Sequence, residues 1–171
     1  MPNEKATKLK ETEKRYLDKL STMTDEERYR LKRELGRPMI PRTRPWMTFL
    51  RLSPAGLYAE NEQVYFFIAC LRAINKDGTV PVSQAVGKAT KKGTMFKERL
   101  FRLMETKIDS SGQFFHEFVR FFGDDILKTV DVEELFYDLI HWNHASSYIQ
   151  KRWLFNYYNN TDKKGEDDNE Q

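Results

Sequence analysis

The stretch ENEQVYFFIACLRAI, residues 60–74, decides the fold. Val64, Phe67, Ile68 and Leu71 recur at i, i+3, i+4 and i+7, which places them on one face of an α-helix. The apolar run from Val64 to Leu71 leaves little polar surface on the other faces, so this helix is expected to be central and buried from about Ala59 to Asn75. The NKDG sequence at 75–78 supplies its stop. The run ends at Arg72, well short of the roughly 18 apolar residues that span a bilayer.

Amphipathic segments of the same period flank this helix on both sides. Upstream, Thr24 and Glu27 have the spacing of a capping box, Asp25, Glu26 and Glu27 complement the positive end of the helix dipole, and Gly36 followed by Pro38 ends the helix. The next stretch, RPMIPRTRPWMTFLRLSPAG at 37–56, holds four prolines and is expected to be a basic loop pinned by Trp46 and Phe49. Downstream, a short helix is expected from a Ser83 cap, then a longer one with Phe96, Leu100, Leu103 and Met104 as its apolar stripe. GQFFHEFVRFFG aligns Phe115, Phe118, Val119 and Phe122, and DVEELFYDLIHW opens with Asp131 and Glu134, a start resembling a capping box, and buries Leu135, Leu139 and Trp142. A last helix is expected from about His144 to Tyr158, with Ile149, Trp153 and Tyr157 on its packed face.

These segments predict an all-α chain, two small helical bundles in series. The expected divisions are a charged N-terminal segment at 1–20, an N-terminal lobe at 21–108, a C-terminal lobe at 109–160 and an acidic, disordered tail at 161–171. No convincing period-2 alternation, βαβ pattern or fixed repeat is present.

Composition agrees with this. Of 171 residues, 39% are hydrophobic, with 12 Phe, 8 Tyr and 3 Trp, enough for a sizeable core, while 8 Gly and 6 Pro are too few for turn-rich β structure. Cys70, the single cysteine, lies inside the central helix and is expected to fill core space in a reducing cytoplasm. The N-terminus lacks a signal-peptide core, and neither export nor a membrane anchor is expected. The overall charge is +3, but residues 161–171 set five acids against Lys163 and Lys164. That tail carries −3, which leaves +6 on the residues before it. Such a tail could shield a basic body from random polyanions, or could simply keep it soluble.

Catalysis would leave a constellation, and none is evident. His141 and His144 share a spacing of three without a nearby cysteine, so a structural role is expected and no metal or other cofactor. Asp124 and Asp125 are expected to form a helix stop and turn. Phosphate-loop and nucleophile-elbow motifs are absent, and the chain is expected not to be an enzyme.

The cations point elsewhere. Lys32 and Arg33, Lys88 with Lys91 and Lys92, Arg99, Arg120, and Lys151 with Arg152 sit on or beside amphipathic helices. A charge run is ordinarily a solvated helix face, but from Val80 to Phe96 there are three lysines and no acid at all. A basic surface without a base-reading motif suits phosphate backbones, where affinity comes from counterion release. Lys151 and Arg152 stand directly against Trp153, cations bordering a packed face.

Four segments, DEERYRLKRELG, ENEQVYFFIACLRAI, VGKATKKGTMFKERLFRLMET and VDVEELFYDLIHWNHASSYIQKRWLFNYY, resemble in order and spacing the small subunit of the type I-E CRISPR Cascade surveillance complex, the Cse-two or CasB family. Particular matches are Leu31 to Gly36, the Glu98, Arg99 and Phe101 set, and Trp142 followed by Arg152 and Trp153. The resemblance covers about residues 21–158. It implies a non-catalytic, cytoplasmic structural protein of antiviral defence, present as two stacked copies. Its implied partners are crRNA, the target and non-target DNA strands, and the backbone and large subunits, with no membrane. Carried over, Lys32, Arg33, Arg99, Arg120, Lys151 and Arg152 border a groove for nucleic acid, with Lys88, Lys91 and Lys92 added by charge. The alternative is a free-standing helical regulator that binds nucleic acid on its own; a metal-dependent nuclease comes far behind.

Overall fold

The computed structural model describes residues 8–167, with side chains through Thr161. The fold is all-α. In chain order the helices are α1 (Glu11–Leu20), α2 (Asp25–Lys32), α3 (Arg44–Leu52), α4 (Ala59–Ile74), α5 (Val82–Thr90), α6 (Thr94–Glu105), α7 (Gln113–Phe122), α8 (Asp124–Leu127), α9 (Val132–Ile140) and α10 (Tyr148–Asp167). An isolated bridge between Val80 and Val130 is the sole β pairing among the described residues.

Helix α4 is the buried axis, as its sequence predicts: Val64 through Leu71 are all buried, Cys70 among them. Burial pushes the Cys70 thiol well above its ordinary pKa, so it stays protonated as a core group. Phe49 of α3 meets Phe66 edge-on at 5.5 Å, and Phe67 stacks on Phe115 of α7 at 4.5 Å. Tyr65 meets Phe136 of α9 at 5.0 Å. One continuous cluster of buried side chains therefore draws on residues from both sides of position 109.

The end of α4 is locked by Asn75, which is fully buried. Its amide nitrogen donates to the carbonyls of Leu127 (2.7 Å) and Val130 (2.8 Å), and its oxygen accepts from the Gly78 N–H (2.8 Å). A buried amide is tolerated when its partners are supplied in this way. At Gly78 a Cβ would lie 2.3 Å from the Val130 carbonyl oxygen, so this turn closes only on glycine.

Several expectations need correction. Residues 37–56 are not all loop, since α3 forms within them. Thr43 Oγ1 accepts the Trp46 N–H, and Pro45 lies in the first turn, where a missing N–H costs no helical bond. Charged residues 11–20 form α1, whose Tyr16, Leu17 and Leu20 are buried. The Tyr16 hydroxyl donates to the Tyr65 carbonyl at 2.7 Å. Ser83 does not cap α5; that helix begins at Val82, whose N–H is taken by Glu134 Oε2 at 3.0 Å. Asp131 Oδ1 accepts the Glu134 N–H as predicted, but the Glu134 carboxylate, being turned to α5, does not complete a box. Asp124 and Asp125 open the short α8 rather than only ending α7. The last helix starts at Tyr148 and continues to Asp167, into the segment expected to be disordered; residues 168–171 lie outside the described ones.

The Thr24 and Glu27 box is present on both sides, with the Glu27 N–H donating to Thr24 Oγ1 (3.2 Å) and the Thr24 N–H to Glu27 Oε2 (3.0 Å). Glu27 also accepts both arms of Arg51 at 2.7 Å, which ties α2 to α3. Helix α2 itself ends at Lys32, short of the expected stop at Gly36; Gly36, in the turn that follows, has a left-handed backbone (φ 78°), and a Cβ there would lie 2.9 Å from Val119 Cγ2. Gly36→Ala is expected to cost about 1–2 kcal/mol from the backbone alone, read as a lower midpoint in denaturant; an unchanged midpoint would show that this turn is free to rearrange.

Candidate nucleic-acid interface

The C-terminal end of α7 gathers three of the sequence-predicted cations. A helix leaves its last carbonyls unpaired and carries partial negative charge there. Lys92 Nζ donates to the Phe122 carbonyl at 2.8 Å, and Arg99 Nη1 donates to the Arg120 carbonyl at 3.1 Å. Both cations lie over the Phe96 ring, Lys92 at 5.3 Å and Arg99 at 4.9 Å from its centroid. Phe96 thus holds the two side chains that cap α7. Arg120 itself reaches Glu117 at 3.9 Å and is otherwise exposed.

Lys32 and Arg33 close α2 and flank Tyr29, at 5.1 and 5.5 Å from its ring centroid. Tyr29 is 54% exposed, so these contacts steady two cations without burying them.

Lys151 and Arg152 part company. Lys151 is exposed, whereas Arg152 forms an ion pair with Asp138 of α9, which is fully buried. The Trp153 Nε1–H donates to the other carboxylate oxygen of Asp138 at 2.7 Å. Burial raises the Asp138 pKa, and Arg152 and Trp153 pull against that rise. The cation beside the packed face is therefore there to neutralise an acid inside it. A signal for this exists in the sequence: Asp138 falls among Leu135, Leu139 and Trp142 on an apolar face, and a buried acid demands a cationic partner.

The family described as CRISPR-associated protein Cse2 matches residues 27–158. The chain belongs to the Cse2 family. Among solved structures it resembles a CRISPR-associated protein of the Cse2 family from Thermus thermophilus, with a TM-score of 0.68 and 20% identity over 85% of this chain and 97% of that one. At that identity the likeness concerns the fold. No curated protein matches.

In this Cse2-family chain the remaining lysines face outward. Lys88 on α5 and Lys91 just after it are exposed, and Lys91 lines a groove of about 370 Å³ with Thr90, Thr94, Lys97, Tyr157 and Asn160. Lys97, one turn into α6, joins this basic edge, although in the sequence it reads as one more solvent-facing lysine. The two C-terminal histidines are engaged separately. His141 stacks on Tyr137 at 4.2 Å, and His144 Nδ1 lies 2.9 Å from Ser146 Oγ. Among the described residues no three His, Cys, Asp or Glu side chains converge as metal ligands, and no helix is long and apolar enough to cross a membrane.

Proposed function

We propose that this chain is a non-catalytic structural subunit of a type I-E CRISPR RNA-guided surveillance complex, acting in the cytoplasm. It steadies the crRNA and target-strand assembly and offers phosphate contacts to the displaced strand. Its protein neighbours on this reading are the backbone and large subunits of Cascade and a second copy of itself. Family membership supports the setting. The single observation that carries the nucleic-acid role is the exposed lysine edge at the end of α5, where residues 80–96 hold no acid to neutralise Lys88 and Lys91.

These cations would touch phosphate rather than base edges. Lysine is a mobile point charge rather than a base-reading fork, and Asn160 is the one amide side chain lining the groove beside Lys91 among the described residues. Lys32, Arg33, Arg120 and Lys151 are likewise exposed cations available to this role. Lys92 and Arg99 bind backbone carbonyls, and Arg152 serves it chiefly by holding Asp138.

Replacing Lys88, Lys91 and Lys151 together with Ala in the assembled complex is expected to weaken target binding equally for all sequences. Three lost contacts to a single strand should flatten the slope of log K against log salt by about 2. R-loop affinity over a salt series measures this, with gel filtration as the check on assembly. An unaltered slope with lost assembly would make these lysines protein-interface residues.

A further inference from the structure

From Leu35, just past Glu34 in the α2–α3 connector, through α3 to Ala59, the chain is one-sided in charge. Residues 35–59 contain Arg37, Arg42, Arg44 and Arg51 and no acidic residue. Arg51 is spent on Glu27. Arg37, Arg42 and Arg44 are exposed, and among the described residues their side chains make no hydrogen bond or ion pair with the rest of the protein. This sets them apart from Lys92, Arg99, Arg120 and Arg152, each of which is held by the fold.

The connector is also stiff. Pro38, Pro41 and Pro45 fix three of its backbone dihedrals. Thr43 Oγ1 donates to the Ile40 carbonyl at 2.8 Å and closes the turn before α3. Pro38 packs on the entry to α7, where a Cβ on Gly112 would come within 2.8 Å of it. Arg42 adopts a left-handed backbone (φ 65°), a conformation that a non-glycine residue holds only when its surroundings impose it. Arg42 and Arg44 are two residues apart, at most about 7 Å between Cα atoms.

The charge runs against what helix stability alone would favour. α2 begins with three acids, whereas α3 has none in its first turn and begins on Arg44, a cation at the positive end of the dipole. Three guanidinium groups without a partner among the described residues, Arg37 and Arg42 on the connector and Arg44 at the start of α3, leave a surface that an anion would complete. Guanidinium matches phosphate with paired N–H donors, which a lysine cannot do.

We infer that Arg37, Arg42 and Arg44 form a phosphodiester-binding site for a nucleic-acid strand, separate from the α5 lysine edge. This rests on the reading that the chain contacts nucleic acid, and names a second place where it does so. Pre-organisation by the prolines lowers the ordering cost of each contact.

The test uses the purified full chain and fluorescently labelled oligo(dT) and oligo(U), with anisotropy followed over a salt series. R37Q/R42Q/R44Q is compared with K88Q/K91Q/K151Q, and thermal melts confirm that both fold. The arginine variant is expected to flatten the salt slope by about 2, equivalent to about 100-fold weaker binding near 0.1 M salt relative to 1 M. Greater loss on oligo(U) than on oligo(dT) would assign the site to RNA, and the reverse to DNA. R37K/R42K/R44K should keep the slope and lose part of the affinity. If the lysine variant loses slope and the arginine variant does not, the connector site is overturned while the lysine surface stands. The opposite pattern supports the connector and removes the lysine surface. A wild-type chain without salt-dependent binding overturns both. Binding of a polyglutamate peptide that is lost in the arginine variant, with oligonucleotide binding unchanged, would overturn the site in favour of an acidic protein partner.

Discussion

Trp153→Ala is expected to lower the free energy of unfolding by about 3–5 kcal/mol, a large share of what a chain of this size has. The ring is 2% exposed and lies 5.2 Å from Trp142, 5.9 Å from Phe122 and 6.4 Å from Phe118. Truncation opens a void where α10, α9 and α7 meet, and these rings cannot all move to fill it. It also removes the N–H that Asp138 accepts. Trp153→Phe separates the two losses, because it keeps most of the volume and should cost about 1–3 kcal/mol for the orphaned carboxylate oxygen. Equilibrium denaturation in urea measures both. An alanine variant with an unchanged midpoint would place the ring outside the core.

Arg152→Leu is expected to cost about 3 kcal/mol near neutral pH, because it leaves the buried Asp138 carboxylate without its cation. The loss should depend on pH in a definite direction. Asp138 has a folded-state pKa raised above its ordinary value, chiefly by burial. Such a group binds its proton more tightly when folded, so its contribution to stability is present at acid pH and is lost as pH rises through the folded pKa. Removing Arg152 takes away a cation that opposed this rise, and the folded pKa should climb further. The deficit of Arg152→Leu relative to wild type should therefore shrink as pH is lowered from neutral toward the raised pKa. Asp138→Asn in the Arg152→Leu background should abolish that pH dependence. Urea midpoints between pH 8 and pH 4.5 test this, and a deficit constant across the range would mean that Asp138 does not carry it.

The readability of the fold follows the strength of the apolar pattern. Helix α4 is evident because its face repeats without interruption, and the Thr24 and Glu27 box because both of its bonds are local. Helix α1 escaped because Tyr16, Leu17 and Leu20 stand among charges, and only Tyr65 and Phe136 show why they pack. Helix α3 escaped because Pro45 looks like a breaker until its place in the first turn is known. The Ser83 cap failed for a tertiary reason, since Glu134, distant in sequence, reaches the Val82 N–H first. The same limit governs the cations. Lys88, Lys91 and Lys151 are exposed as the charge pattern suggests, but Arg152, Arg99 and Lys92 are bound to Asp138, Arg120 and Phe122, partners that only the folded chain brings near.

The central claim is that this Cse2-family chain works inside a ribonucleoprotein and touches its nucleic acid. The most direct test is to tag the chain, purify it under native conditions from the cells that encode it, and sequence whatever RNA comes with it. The account predicts a large particle containing other CRISPR-associated subunits and RNA that carries CRISPR repeat sequence. Recovery of the chain as a free protein without RNA, from cells that express the other subunits, would contradict it.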